Sequence, residues 1–298
     1  MNYNTLKKSG LKLSEVSFGC MSLKASATDN DTIISKAIEG DINLFDTADL
    51  YENGNNEKLL GKALKGKRKD VLISSKVGNK MRPDGSGWDW YPRKEYILKA
   101  IDESLKRLQT DYLDLYLLHG GTIEDPIDEV IEAFERLVDN GKIRSYGLSS
   151  IRPNVIREYV SRSNISAVMT QYSLLDRRPE EATLKILLDN EIGVLARGTI
   201  ASGLLVDKPA KDYLDLTKDE VTTILKELKV NLPEGKTQAE TATRYVVDNP
   251  AITTAVVGMR TINQLEDALA SANATALSTE QWQTLQNIWK GNVYKDHR

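Results

Sequence analysis

Four side chains of complementary acid–base chemistry stand where apolar strands end in this chain. The run Ile42-Asn-Leu-Phe-Asp-Thr-Ala-Asp-Leu-Tyr51 carries a strand into Asp46 and, five positions on, Tyr51. Val71-Leu-Ile-Ser-Ser runs into Lys76, and Leu113-Asp-Leu-Tyr-Leu-Leu runs into His119. A phenol ordinarily keeps its proton to a pH near 10 and is a weak donor at neutral pH. An ammonium within about 4–6 Å favours the phenolate, and a carboxylate beside that ammonium keeps it charged and aimed. Asp46, Lys76 and Tyr51 would together make a general acid for an oxygen gaining negative charge. His119 would donate a hydrogen bond to that oxygen and orient a carbonyl. Each residue also has a plainer reading. Asp-Thr-Ala is an ordinary helix-capping sequence, a lone lysine is usually solvated, and a lone histidine near a core is usually structural. The set gains meaning if the three strands are parallel neighbours, because their C-terminal ends then share one face.

The rest of the chain supplies the elements for that arrangement. Apolar runs predict strands over 16–19, 42–45, 71–75, 113–118, 143–148, 167–172, 192–196 and 253–257. Helical spacing predicts helices over 31–39, 56–64, 94–108, 127–138, 155–160, 180–189 and 262–271. Eight short strands alternating with helices over about 250 residues is the pattern of a (β/α)8 TIM barrel. Residues 3–15, turning at Lys8-Ser9-Gly10, predict a hairpin that could plug one end. A closing helix over 279–290 presents Trp282, Leu285, Ile288 and Trp289 at helical spacing, as packing on the barrel's outside would require. Two stretches interrupt the alternation: 78–92, with Trp88, Trp90 and Tyr91, and 198–234, with an extra helix over 218–228. No Pro-, Gly- or Ser-rich linker divides the chain, so residues 1–298 are expected to form one domain.

Composition narrows the function. The chain has 298 residues, 28% charged and 40% hydrophobic, with a net charge of -3 and no basic block, which argues against nucleic acid as the partner. One cysteine, Cys20, and two histidines leave no metal site to assemble, so a metal-dependent barrel hydrolase is poorly supported. No apolar run reaches the length of a membrane span and no leader pattern opens the chain, so a cytoplasmic protein is expected, a monomer being favoured.

Because no side chain supplies hydride, reduction at this site needs a nicotinamide or similar cofactor. Gly19-Cys20-Met21 after the first strand excludes the Gly-x-Gly-x-x-Gly turn. In barrels, phosphate sites commonly lie after strands 7 and 8. Here those loops read Arg197-Gly-Thr-Ile-Ala-Ser-Gly-Leu204 and Gly258-Met-Arg-Thr261.

Asp46-Thr-Ala-x-x-Tyr51, Lys76, Leu117-Leu-His119, Gly147-Leu-Ser-Ser150 and Gly203-Leu-Leu205, in this order, resemble the aldo-keto reductases over nearly the whole chain. The resemblance implies NADP(H) lying across the C-terminal face and hydride transfer to an aldehyde or ketone. It makes Tyr51 the proton donor, Lys76 and Asp46 its tuning pair, and His119 the carbonyl-positioning group. Cofactor contacts would come from Gly19, Met21, Asp46, Ser149, Ser150, Gly198, Thr199, Gly203, Leu204, Gly258, Met259, Arg260 and Gln264. Arg260 and Gln264 match positions that meet the adenosine 2′-phosphate. Several positions depart from the family pattern. Ser150 replaces an Asn, Met169 replaces a Gln whose amide contact Gln171 could take over, and Ala268 replaces an Asn. Arg197 stands where many members stack a Tyr, and its guanidinium is expected either over the ring or on the pyrophosphate. Gly120-Gly121 after His119 is expected to leave room for a ligand, and the short polar tail to cover little, giving an open pocket. Some relatives sense nicotinamide cofactors as regulatory subunits with little turnover, which is the alternative function.

Overall fold

The computed structural model describes residues 1–24 and 26–298. Eight parallel strands close into a barrel: β3 (Val16–Gly19), β4 (Leu44–Asp46), β5 (Leu72–Val77), β8 (Leu113–Leu118), β9 (Ile143–Ser149), β10 (Ala167–Gln171), β11 (Gly193–Arg197) and β12 (Ile252–Gly258), with β12 pairing back onto β3. These are the eight strands expected from the sequence, β3 and β8 with the expected bounds and the others with one or both ends displaced by one or two residues. Asp46 ends β4, Lys76 is the penultimate residue of β5, and His119 follows β8 directly.

Successive residues of a strand face opposite sides, and this alternation sets the interior. Leu44, Leu115, Leu117, Ala167, Met169, Leu195 and Val256 close on one another inside the barrel. The hairpin β1 (Tyr3–Thr5) and β2 (Lys12–Ser14) adds Leu6, Leu11 and Leu13 from below, all buried, so it is the plug its sequence suggested. Gly193 is small because a Cβ there would lie 2.1 Å from Leu6. Two residues further along the same strands, the inward positions are Asp46, His119, Gln171, Arg197 and Gly258, and Lys76 and Ser149 belong to the same parity. One face of every strand therefore serves the core below and the mouth above.

Outside lie α1 (Asn30–Glu39), α2 (Asn55–Ala63), α3 (Lys94–Leu108), α4 (Ile127–Asp139), α5 (Pro153–Arg162), α6 (Thr183–Asp189), α7 (Lys218–Val230), α8 (Gln238–Val247), α9 (Ile262–Asn273) and α10 (Thr279–Asn287). The outer stripe of each strand packs on them, which is why these strands are apolar on both faces. Helix α8 was not read from the sequence, although Thr237 and Glu240 form a capping box at its start. The helix expected over 180–189 begins only at Thr183, because Ala182, at φ -154°, separates it from a tighter turn over Arg178–Glu181, from which the Glu180 carboxylate accepts from Tyr172 at 2.8 Å and Tyr245 at 2.7 Å. The closing helix ends at Asn287 instead of 290, where Arg177 takes the carbonyls of Gln286 and Trp289. Its aromatics are packing groups, as expected: Trp282 stacks on Tyr245 at 5.1 Å and Trp289 donates to the Leu174 carbonyl. The 78–92 insertion folds into a hairpin of β6 (Asn79–Met81) and β7 (Trp88–Trp90). Among the described residues, no helix is long and apolar enough to cross a membrane.

Helices α2 and α3 meet at Gly61, where a Cβ would lie 2.5 Å from the Leu108 backbone. Gly61→Ala is expected to lose about 1–3 kcal/mol to overpacking, outweighing alanine's helix advantage of about 1 kcal/mol. A denaturant midpoint equal to or above the parent's would show that the two helices have slack.

Candidate active site

Lys76 organises the barrel mouth. Its side chain is 1% exposed, and all three ammonium protons have acceptors: Asp46 Oδ2 at 2.7 Å, the Thr47 carbonyl at 2.7 Å and the Tyr51 hydroxyl at 3.3 Å. Asp46 Oδ1 accepts from Ser74 at 2.6 Å, so both carboxylate oxygens are occupied. Burial alone would lower the lysine's affinity for its proton. Asp46 and Tyr51 outweigh it, and the net effect raises Lys76 above its ordinary value, leaving an ammonium. The sequence brought these three groups to strand ends; closure of the barrel brings them into contact.

His119 faces Tyr51 edge-on, with ring centroids 5.9 Å apart and planes at 82°. Burial, then the charges of Lys76 and Arg197, push its imidazole down to about 3, so the ring is neutral at physiological pH. A neutral imidazole carries one N–H donor and one acceptor, and Nδ1 is buried with no partner among the described residues. The two glycines after His119 do not open space for a ligand, contrary to the sequence expectation. Trp90 lies against Gly120, where a Cβ would come within 3.3 Å of its ring, and Val155 fills the place beside Gly121. Trp90 is fastened by Asp125, which accepts from Nε1 at 2.9 Å, and so forms a wall next to His119. Trp88 is 48% exposed, and Tyr91 donates to Glu95 at the surface.

Tyr51 opens a turn whose next three residues, Glu52, Asn53 and Gly54, have positive φ of 48°, 55° and 81°. Such conformations cost non-glycine residues about 1–3 kcal/mol each and persist only when surroundings enforce them. Two fully buried residues at the start of α2 do so. Asn56 accepts from Thr47 at 2.7 Å and donates to the Cys20 carbonyl at 2.8 Å. Glu57 accepts from Ser75 and from Arg107, both at 2.6 Å, and the Arg107 stem closes against Gly54. Sequence reasoning passed over Asn56, Glu57, Ser74 and Asp49; for Asn56 and Glu57 the signal available was a polar run at the start of an otherwise amphipathic helix, and for Ser74 it was a polar residue inside an apolar strand. Asp49 is buried with Oδ1 unpartnered among the described residues, and burial, then the charge of Glu57, pushes its carboxyl up to about 8.

The opposite half of the mouth is built for an elongated, anionic ligand. Gln171 and Arg197 meet there, Nη1 of Arg197 donating to Gln171 Oε1 at 2.8 Å while Gln171 donates to Tyr213 at 3.3 Å. Ser149 is half-buried at the end of β9, whereas the Ser150 hydroxyl turns away to accept from the Arg152 amide. After β11 the loop has positive φ at Gly198, Ala201, Ser202 and Gly203 and turns back on itself, the amides of Ala201, Gly203 and Leu204 donating to the carbonyls of Gly198, Ile200 and Ala201, while Thr199 Oγ1 is buried without a partner among the described residues. Leu204 is buried beneath the loop, and Lys208 folds back on Gly203, donating to the Ser202 carbonyl at 2.7 Å. Lys208 and Tyr213 were not read from the sequence, since only the chain's reversal brings them here. At the end of β12 Gly258 is exposed, then Met259 is buried and exposed Arg260 heads α9. Gln264 accepts from the Arg260 amide at 3.0 Å, and Arg260 has no carboxylate partner among the described residues. Gly19 is buried under Val256 and Val257, and Met21 is 63% exposed at the rim. The orphaned buried hydroxyl of Thr199 and the guanidinium groups of Arg197 and Arg260, neither with a carboxylate partner among the described residues, fit a nicotinamide dinucleotide. The described residues hold no cluster of three His, Cys, Asp or Glu suited to a metal.

Known proteins resemble this chain in sequence and fold. The sequence profile of the Aldo/keto reductase family matches residues 15–290. A Bacillus subtilis protein named uncharacterized oxidoreductase YqkF is 45% identical, with both chains covered completely. The structure of aldo-keto reductase AKR11C1 from Bacillus halodurans in its holo form is 46% identical, covering 100% of this chain and 99% of its own, with a TM-score of 0.95. An Escherichia coli protein named NADH-specific methylglyoxal reductase is 33% identical over 62% of this chain and 60% of its own.

Asp49 gives a test of the electrostatics behind Tyr51. Its folded-state value near 8 lies above the 3.8 of a free side chain, so the folded protein holds a proton that the unfolded chain has lost. The stability this group contributes is complete below pH 3.8 and declines as pH rises through 8. Asn cannot titrate, so Asp49→Asn should gain on the parent by more than about 1 kcal/mol over that window. Parallel stability curves for the two proteins would mean that the Asp49 carboxyl is already ionised.

Proposed function

The chain belongs to the Aldo/keto reductase family, a family of oxidoreductases, and from that membership we propose that it reduces aldehydes or ketones to alcohols with NADPH, Tyr51 supplying the proton. The observation that carries this reading is Lys76, whose protons are divided among Asp46, the Thr47 carbonyl and the Tyr51 hydroxyl beside a neutral His119. On this reading residues 1–298 act as one barrel domain.

NADPH, when bound, supplies the hydride. Ser149 and Gln171 would hold its amide end, Gly198, Thr199, Gly203 and Lys208 its phosphates, and Arg260 its 2′-phosphate. The chain's own groups then act on the carbonyl. His119 donates to the oxygen and fixes its direction. Lys76 favours loss of the Tyr51 proton at the moment the oxygen becomes basic, and Asp46 keeps Lys76 charged throughout. The wall made by Trp90 limits water on the His119 side and offers an apolar surface, which favours substrates with a hydrophobic or aromatic body. Ser150 is tied to the scaffold, its hydroxyl accepting from the Arg152 amide and its own amide donating to the Met169 carbonyl.

NADPH oxidation assayed over a panel of aldehydes and ketones tests the proposal. Tyr51→Phe removes only a hydroxyl, so the fold is expected to survive while kcat falls by about 10²- to 10⁴-fold. Tight cofactor binding without turnover in the parent would instead favour a nicotinamide-sensing subunit. Cofactor choice is tested at Arg260. Losing a charge-assisted contact to the 2′-phosphate should raise KM for NADPH in Arg260→Ala by about ten- to a hundredfold and leave NADH nearly unchanged. Equal effects on both cofactors would sink Arg260 as the selecting group.

A further inference from the structure

Arg197 is the one strand-end cation of the mouth whose charge is not matched. Its guanidinium is half-buried, its hydrogen-bond partner is the neutral Gln171, and no carboxylate of the described residues lies within ion-pair distance. Elsewhere this chain supplies counter-charges. Arg177 pairs with Glu180, Arg244 with Glu15, Arg178 with Asp176, and Arg107 with Glu57. Lys76, in the same inward layer, has Asp46 at 2.7 Å. Gln171 is itself held by Tyr213, so the neutral partner of Arg197 is a fixed feature.

The barrel's order places this cation. From β5 to β11 the closed sheet counts four strands in either direction, so Arg197 stands diametrically across the mouth from Lys76. His119 senses both cations, and a carbonyl held between Tyr51 and His119 would lie, with its hydride donor, between them. Arg197 also runs directly into the loop Gly198–Gly203, so a dinucleotide whose phosphates rest on that loop has its ring end at Arg197.

We propose that Arg197 makes the mouth bind the reduced nicotinamide in preference to the oxidised one. This deepens the function proposed above and rests on it. In the reaction the C–H bond of the dihydronicotinamide breaks, its electron pair forms the new bond to the carbonyl carbon, and Tyr51 gives the oxygen its proton. The ring, neutral before, is left a pyridinium of charge +1. A guanidinium without a counter-ion attracts no penalty from the neutral ring and repels the cationic one. NADP+ is therefore held more weakly than NADPH, which speeds its departure and favours the reductive direction.

Equilibrium titration of tryptophan fluorescence with NADPH and with NADP+, at low and moderate salt, tests this. In Arg197→Gln the ratio of the NADP+ to the NADPH dissociation constant should fall by about tenfold, the size expected for like charges roughly 10 Å apart in a half-buried site. Arg197→Lys should keep the parent's ratio. Gln171→Glu, which leaves Arg197 in place and gives it a counter-charge, should lower the ratio as the Gln variant does. Equal weakening of both cofactor forms in Arg197→Gln would assign the guanidinium to the phosphates and overturn the proposal. An unchanged ratio with a raised KM confined to carboxylate-bearing aldehydes would assign it to the substrate and overturn the proposal equally. Failure of the parent to bind either cofactor form would overturn the proposed function itself; binding with a ratio indifferent to Arg197 and Gln171 would remove only this inference.

Discussion

An ammonium buried to 1% exposure in the mouth of the barrel is the constraint on which the remaining structure depends. Desolvating Lys76 and Asp46 costs several kcal/mol per ion, and their mutual attraction offsets that only when every donor and acceptor is satisfied. The surroundings meet this demand group by group. Ser74 fills the second oxygen of Asp46, the Thr47 carbonyl takes one lysine proton, and Tyr51 takes the last. A hydrophobic pair of the same volume would stabilise the fold as well or better, so the arrangement is best understood as one kept for its chemistry. It keeps a permanent positive charge beside a phenol without admitting a counter-ion from solvent.

Holding Tyr51 at that charge requires work on the far side of β5. Adjacent residues of the strand face opposite ways, so Lys76 reaches inward to Tyr51 while Ser75 reaches outward to Glu57. Glu57 in turn binds Arg107, whose stem braces Gly54 at the end of the tyrosine's turn. The strained residues Glu52 and Asn53 are thus clamped between a strand and two helices. Packing at Gly61, one turn further along α2, transmits the position of α3 into the same region. The apolar contacts of the helices and the geometry of the acid belong to one mechanical unit.

The mouth is also electrically divided. On the β4, β5 and β8 side, charges are paired and His119 is neutral, which suits a group that must gain a proton. On the β11 and β12 side, Arg197 and Arg260 have no carboxylate partners among the described residues, and the loop between 198 and 203 holds the buried, unpartnered Thr199 hydroxyl with Lys208 alongside. The paired half matches acid–base work, and the unpaired half matches a ligand that brings its own negative charges.

Much of this was legible in the residues alone. Apolar runs at regular spacing announced eight strands and a barrel, because parallel strands buried on both faces must be apolar throughout. Alternation put Asp46, Lys76 and His119 at strand ends, and the loops after β11 and β12 carried the glycines and arginines of an anion track. What the sequence could not settle were contacts that depend on distances across the closed sheet. That Gly120 makes room for Trp90 rather than for a ligand, that the Ser150 hydroxyl accepts from Arg152, and that Glu180 reaches Tyr172 and Tyr245 from a turn ahead of its helix are outcomes of long-range packing. Local periodicity and residue chemistry determined which side chains point inward and what they can do. Only the closure of the barrel, which brings residues dozens of positions apart into hydrogen-bonding contact, decided which of them touch, and therefore which charge is paired and which is left free.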